Sequence, residues 1–196
     1  EMFRDPSYFR ALREKVIPHL KTYPSLKVWV AGCGAGEELY SLAILFREEG
    51  LEARTVFYGT DINTAALEKA EAGVYELDRI ALFTRNHRRS GGRSSLSDYY
   101  TAAYGAAVFD KTLRSRAVFS DHSLASDSVF AESQLVSCRN VLIYFGRELQ
   151  DRAIGLFKDS LVRKGFLGLG AKESLHFSRY AGAFPVFVGE ERIYQK

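Results

Sequence analysis

The glycine loop Gly32-Cys33-Gly34-Ala35-Gly36 is the feature that most narrows what this chain can fold into. It follows a short apolar stretch, Lys27-Val28-Trp29-Val30-Ala31, that reads as a buried strand. It opens onto Glu37–Glu49, where Leu39, Leu42, Ala43 and Phe46 recur at helical spacing and Gly50 ends the run. A second strand, Thr55–Thr60, ends at Asp61, and a second helix, Asn63–Ala72, is closed by Gly73. Strand, helix, strand, helix predicts an α/β fold, a parallel sheet with helices on its faces. Ahead of the loop, Pro6–Leu20 predicts a helix with Pro in its first turn and Phe9, Leu12, Val16 and Leu20 on one face.

The alternation breaks over residues 78–116. Ser90-Gly91-Gly92-Arg93-Ser94-Ser95 is turn-rich, and Ala107-Val108-Phe109 and Leu113-Arg114-Ser115 are expected as short strands of an insertion. Strands then resume at Ala117–Ser120 and Leu135–Cys138, followed by a helix over Arg147–Arg163 and a strand over Phe166–Gly170. Pro185–Val188 and Arg192–Tyr194 predict a closing hairpin. Net charge is only +3, but Arg79, Arg85, Arg88, Arg89, Arg93, Lys111, Arg114 and Arg116 crowd the insertion. Such a stretch either attracts an acidic partner or is a solvated loop. Nucleic acid ranks last among partners, because aromatic residues are not interleaved as stacking platforms. No apolar run approaches the roughly 20 residues of a membrane helix, so no direct membrane insertion is expected. Cys33 and Cys138 make no disulfide framework, which predicts a reduced, cytoplasmic chain. The charged opening, Glu1-Met2-Phe3-Arg4-Asp5, carries no signal-peptide pattern and reads as the middle of a longer protein.

A glycine loop between strand and helix lets backbone approach a ligand at the sheet's carboxyl edge. An acid ending the next strand can accept ribose hydroxyls, and Asp61 follows Gly34 by 27 residues. The Gly-x-Gly-x-Gly spacing runs straight into Glu37-Glu38, whose charge suits a cationic group and repels a pyrophosphate. This favours S-adenosylmethionine over a nicotinamide dinucleotide. The alternatives are a tight turn at the glycines, acids that merely favour a helix N-terminus, and Asp61 as an N-cap.

Four segments together resemble the CheR-type chemotaxis-receptor glutamate methyltransferases: Met2-Phe3-Arg4-Asp5, Gly34–Ser41, Gly59-Thr60-Asp61-Ile62 and, most specifically, Cys138-Arg139-Asn140-Val141-Leu142-Ile143-Tyr144-Phe145. The resemblance implies a Rossmann-like class I methyltransferase fold, a mostly parallel seven-stranded sheet with a C-terminal antiparallel hairpin and a small inserted β-subdomain. It implies that residues 1–22 are the linker and helix of an N-terminal helical domain outside this sequence. Residues 23–196 would be the cofactor-binding domain. It implies S-adenosylmethionine as cofactor and S-adenosylhomocysteine as product. Arg4 matches an arginine reaching the cofactor and the methyl-transfer site. Glu38 matches the acid that binds the methionine amino group, and Asp61 the ribose-binding acid. Cys138 and Arg139 match residues lining the cofactor, and Tyr144 a tyrosine beside the transferred methyl. Gly32, Gly34, Ile62, Ser123 and Leu124 complete the implied cofactor contacts. Ser123 stands where the family usually has asparagine, and a hydroxyl offers one donor in place of two.

The implied reaction is methyl transfer to a glutamate carboxylate of a methyl-accepting chemotaxis receptor's cytoplasmic domain. A glutamate is already ionised at neutral pH and needs no general base, which agrees with the lack of a His/Asp or Ser/His/Asp signature. Arg4 and Tyr144 are the implied catalytic residues, and His122 and His176 read as structural. The cysteines lack the further ligands that a metal site needs. The alternatives are another protein or a small molecule as acceptor, or a module that binds the cofactor without turnover.

Overall fold

The computed structural model describes residues 1–196, and the apolar runs read as strands form its centre. A helical run comes first: α1 (Pro6–Ala11), one π-wound turn over Leu12–Val16, and α2 (Ile17–Leu20). Pro18 has no N–H to donate to the carbonyl four residues back, and the wider turn falls in the residues before it. Then follow β1 (Leu26–Ala31), α3 (Glu37–Glu48), β2 (Thr55–Asp61), α4 (Thr64–Ala72), β3 (Val74–Glu76) and α5 (Ile80–Arg89). The remainder runs β4 (Tyr100–Ala103), β5 (Ala106–Phe109), β6 (Ala117–Asp121), β7 (Ser133–Cys138), α6 (Arg147–Ser160), β8 (Leu161–Leu169), β9 (Val186–Val188) and β10 (Ile193–Gln195).

Seven strands form one sheet in the order β6-β2-β1-β7-β8-β10-β9. The first five are parallel to their neighbours, and β10 and β9 close the sheet antiparallel. This is the Rossmann-like class I methyltransferase arrangement with its C-terminal hairpin. Strand order reverses between β1 and β7, so a crevice opens outside their carboxyl ends, where open α/β sheets bind ligands. A second, antiparallel sheet, β3-β5-β4, is the small inserted unit.

Three boundaries differ from the sequence reading. The small sheet takes its first strand from Val74–Glu76, ahead of the expected 78–116 stretch. Leu113-Arg114-Ser115 is not a strand; Lys111–Arg114 is a 3-10 turn whose start is capped by Asp110, which accepts from the Thr112 N–H at 2.8 Å. The helix expected to reach Arg163 stops at Ser160, because Leu161 turns extended and pairs with Ser133 of β7. Within the insertion, α5 was not anticipated; Ile80, Phe83, Asn86 and His87 form its buried face, and two of these four are polar, which weakens the apolar periodicity.

Residues Leu39–Phe46 of α3 are all buried, since α3 is covered on one side by the sheet and on the other by α1 and the insertion. Its C-terminus ends in a buried polar cluster. Arg13 donates to Glu48 at 2.7 Å and to Glu49 at 2.8 Å, His87 Nε2 lies 2.8 Å from Glu48, and Ser94 donates to Glu48 at 2.8 Å. Burial alone would raise the Glu48 pKa, but the bonds from His87, Ser94 and Arg13 outweigh it and hold the carboxyl at about 2. The unfolded chain therefore takes up this proton first as pH falls. The stabilisation is whole above an ordinary carboxyl value near 4.5 and is lost as pH drops from there through about 2. Acid denaturation followed by circular dichroism should show Glu48→Gln with a shallower pH slope over that window. An unchanged slope would assign the acid sensitivity to other carboxylates.

Candidate active site

The glycine loop leaves β1 with three residues in the left-handed region, Gly32 (φ 68°), Gly34 (φ 54°) and Gly36 (φ 92°). A Cβ on Gly32 would lie 2.4 Å from Val141, so the loop and the segment after β7 touch backbone to side chain. A Cβ on Gly34 would meet nothing within 4 Å, which leaves that face of the loop open to a ligand. Asp61, at the end of β2, braces the loop: its Oδ2 accepts from the Gly34 N–H at 2.8 Å and its Oδ1 from Asn63 N–H at 2.9 Å. The N-cap of α4 is Asn63, which accepts from Ala66, so Asp61 is not spent as a helix cap. Each carboxylate oxygen of Asp61 keeps acceptor capacity for a ribose hydroxyl.

Beside Asp61 lies a cleft of about 420 Å³, lined mostly by apolar side chains. It brings together Gly32, Asp61, Ile62, Ser123, Leu124 and Tyr144, all expected from the sequence. Ile62 is 74 % and Tyr144 81 % exposed at its rim, so both side chains present apolar surface to the cleft mouth. Ser123 uses its hydroxyl oxygen locally, accepting from the Ala125 N–H at 3.2 Å, so one O–H remains to donate. His122 also lines the cleft, but Nε2 lies 3.0 Å from the Ser128 carbonyl and Nδ1 is buried.

A second group of expected residues gathers around Glu38. Ser137 donates to Glu38 Oε1 at 2.5 Å, and Arg139 donates to Oε2 at 3.1 Å. Arg139 also donates to Asp5 at 2.7 Å, and its guanidinium stacks 4.0 Å over the Tyr8 ring. Burial would lower the Arg139 pKa, but the Glu38 and Asp5 carboxylates overcome it and the net shift is upward. Glu38 and Asp5 therefore share one buried guanidinium, that of Arg139. A carboxylate so shared keeps capacity to accept from a further cationic group. Glu37, by contrast, pairs with Arg79 at 2.8 Å and not with Arg139, whose carboxylate partners are Glu38 and Asp5. Burial pushes the Glu37 pKa up, but the Arg79 bond, the N-terminal ammonium and a backbone hydrogen bond together outweigh it, and the result lies below the ordinary range.

Arg4 is exposed and makes no ion pair. It sits between two non-glycine residues in the left-handed region, Phe3 (φ 50°) and Asp5 (φ 57°). Such residues cost on the order of 1–3 kcal/mol each and persist where surrounding contacts over-determine them. Met2 and Phe3 are fully buried, with the Phe3 N–H on Ser41 Oγ at 2.8 Å and the Met2 carbonyl accepting from Asn86. These anchors, with Asp5 on Arg139, set Arg4 at the same edge as Glu38. Cys138 does not present its thiol: the side chain is fully buried in the core on the α6 side, and burial raises its pKa well above the usual value. Only its backbone lies at the carboxyl edge.

One residue of this edge went unnoticed in the sequence. Glu173 is 4 % exposed and accepts from four backbone N–H groups, those of Gly170 (2.6 Å), Val141 (2.8 Å), Asn140 (3.0 Å) and Ile143 (3.3 Å). It fixes the segment that carries Tyr144. Little local signals it, because three of its four partners lie 30 to 33 residues away in sequence.

The chain matches the family described as CheR methyltransferase, SAM binding domain, over residues 1–187. It is 56 % identical over its full length to a Pseudomonas putida protein bearing the methyltransferase name Cher3, and covers 72 % of that protein. It is 33 % identical over 88 % of its length to a chemotaxis protein methyltransferase of Listeria innocua, covering 64 % of it. It is 31 % identical over 89 % of its length to chemotaxis protein methyltransferase 1 of Pseudomonas aeruginosa, covering 65 % of it.

Proposed function

The chain belongs to the CheR methyltransferase family as an S-adenosylmethionine-binding domain, and from that premise we propose that it methylates glutamate side chains of chemotaxis receptors. The observation that carries the acceptor's chemistry is the lack of any usable base around Tyr144. Asp61 braces two backbone N–H groups and its remaining acceptor capacity is directed to the ribose, while His122 Nε2 lies 3.0 Å from the Ser128 carbonyl and Nδ1 is buried from the cleft. An amine or alcohol acceptor would have to lose a proton here. A carboxylate arrives already ionised. The names of the Listeria and P. aeruginosa relatives, both chemotaxis methyltransferases, favour a receptor as the protein that bears it.

The site's residues fit the cofactor group by group. Asp61 would take the ribose hydroxyls, Ile62 and Leu124 the adenine faces, Gly34 backbone the close approach, and Glu38 with Asp5 the methionine ammonium. When bound, the cofactor supplies an electrophilic methyl on a positive sulfonium. Arg4 orients the incoming carboxylate, and Tyr144 positions it at the mouth of the cleft. Positive and negative charges disperse as they meet, so the protein's help comes from alignment and water exclusion, which can be worth roughly 7–11 kcal/mol. The rim residues Ile62 and Tyr144 are placed to exclude that water.

The test is label incorporation from methyl-labelled cofactor, offered receptor cytoplasmic fragments, small carboxylic acids and RNA side by side. Label in the receptor fragment supports the reading; label in RNA or the small acids alone overturns it. Tyr144→Phe should lower turnover at least tenfold while S-adenosylhomocysteine affinity stays within about twofold, since the hydroxyl acts on the acceptor side. Loss of cofactor affinity with normal turnover per bound cofactor would move Tyr144 to the cofactor's binding wall.

A further inference from the structure

Helix α5 packs beside α1, and between them runs a groove of about 620 Å³ lined by Arg10, Ala81, Thr84, Arg85, Arg88 and Arg89. Four guanidinium groups line it and no carboxylate does. The other arginines of the insertion are committed elsewhere: Arg79 to Glu37, Arg93 to Glu49, Arg114 to the Tyr40 hydroxyl and Arg116 to the Thr55 carbonyl. Arg10 donates to the Arg89 carbonyl at 2.6 Å, which brings a fourth positive charge to the other three. Arg88 and Arg89 fall in the last turn of α5, where cations favour the helix dipole. The dipole does not explain Arg85, one turn earlier, or Arg10, on another helix. Like charges at helical spacing repel by about 0.2–0.5 kcal/mol a pair, so an unbalanced set of this kind has a cost that a bound anion would offset.

We infer that this groove is the docking site for an acidic polypeptide segment of the acceptor protein. Arg85, Arg88 and Arg89 succeed one another along one helical face, matching carboxylates repeated along a chain. The lining holds no aromatic side chain to stack bases and no large apolar side chain to enter a lipid surface, which disfavours nucleic acid and membrane. The groove also leads toward the site. Arg79 joins the start of α5 to Glu37 in the first turn of α3, so the ten-residue α5 spans about 15 Å between the glycine loop and the far arginines. The inference rests on the proposed function only in assigning the segment to the acceptor.

Fluorescence anisotropy with a labelled poly-glutamate peptide tests it on the whole chain, without turnover. Arg85→Glu/Arg88→Glu should bind the peptide at least tenfold more weakly at low salt, with S-adenosylhomocysteine affinity retained. Wild-type binding should fade at high salt, because exposed charges are screened over about 10 Å at 0.1 M. If the double variant loses cofactor binding, the neutral Arg88→Gln, expected at intermediate peptide affinity, carries the same comparison. Equal peptide affinity in wild type and variants overturns the groove. So does tighter binding of a single-stranded oligonucleotide or phosphatidylserine vesicles through the same arginines. Peptide binding without receptor methylation would support the groove and overturn the proposed acceptor; methylation without peptide binding would overturn the groove alone.

Discussion

Glu173→Ala is expected to destabilise the chain by about 3–5 kcal/mol, the cost of leaving several buried backbone donors without an acceptor after partial relaxation. The wild-type carboxylate is kept out of water by four backbone donors, those of Gly170, Asn140, Val141 and Ile143. Alanine leaves these N–H groups facing an apolar methyl, and each orphaned buried donor costs about 1–3 kcal/mol before the loop relaxes. Relaxation is limited, because Asn140 is held in the left-handed region (φ 60°) and a Cβ on Gly170 would already touch its backbone. For a domain of this size the melting temperature should fall by roughly 6–20 °C. Glu173→Gln should lie between, since it keeps one acceptor oxygen but adds a donor among donors. Cofactor affinity and Tyr144-dependent turnover should fall with it, because Val141 and Ile143 belong to the segment that carries Tyr144. A melting temperature within 2 °C of wild type, roughly what a change under 1 kcal/mol produces, would mean that the four donors find other partners.

Asp61→Ala should weaken S-adenosylhomocysteine binding by roughly 10–150-fold, the equivalent of 1.5–3 kcal/mol for charge-assisted hydrogen bonds. Two losses combine there: the acceptor for ribose hydroxyls and the brace on the Gly34 N–H. Asp61→Asn should do less damage, since one carbonyl oxygen remains to accept. The protein's own melting temperature should change far less than in Glu173→Ala, because Asp61 is half-exposed and water can take over its donors. Calorimetric titration separates the two variants. Unchanged affinity in Asp61→Ala would remove Asp61 from the cofactor site.

The parts of this site that were legible in the sequence are those set by local chemistry. The Gly32–Gly36 loop, Asp61 at a strand end and Glu38 in a first helical turn each follow from strand, turn and helix signals within a few residues. The run from Cys138 to Phe145 was legible through its resemblance. What escaped depends on long-range assembly. Glu173 acquires its role from backbone donors of another loop, and the Arg139–Glu38 pair exists because β7 lies beside β1. Cys138 was expected to line the cofactor, but alternation along β7 turns its side chain into the core. The α5 helix was hidden because its buried face includes the polar Asn86 and His87 beside Ile80 and Phe83, and its last turn runs into arginines and a Gly-rich turn that read as a loop. The same assembly reassigns the arginine-rich stretch: Arg93 is spent on Glu49, while Arg10, distant in sequence, joins Arg88 and Arg89.

The central claim is that the acceptor atom is a carboxylate oxygen, and the chemistry of the product tests it most directly. Methyl esters hydrolyse in alkali to release methanol, whereas methyl groups on nitrogen do not. Receptor cytoplasmic fragments incubated with the chain and methyl-labelled S-adenosylmethionine should yield volatile label on alkaline treatment. That label should disappear when the acceptor glutamate is replaced. Label that stays with the protein through alkali, or that persists after every candidate glutamate is replaced, would contradict the account.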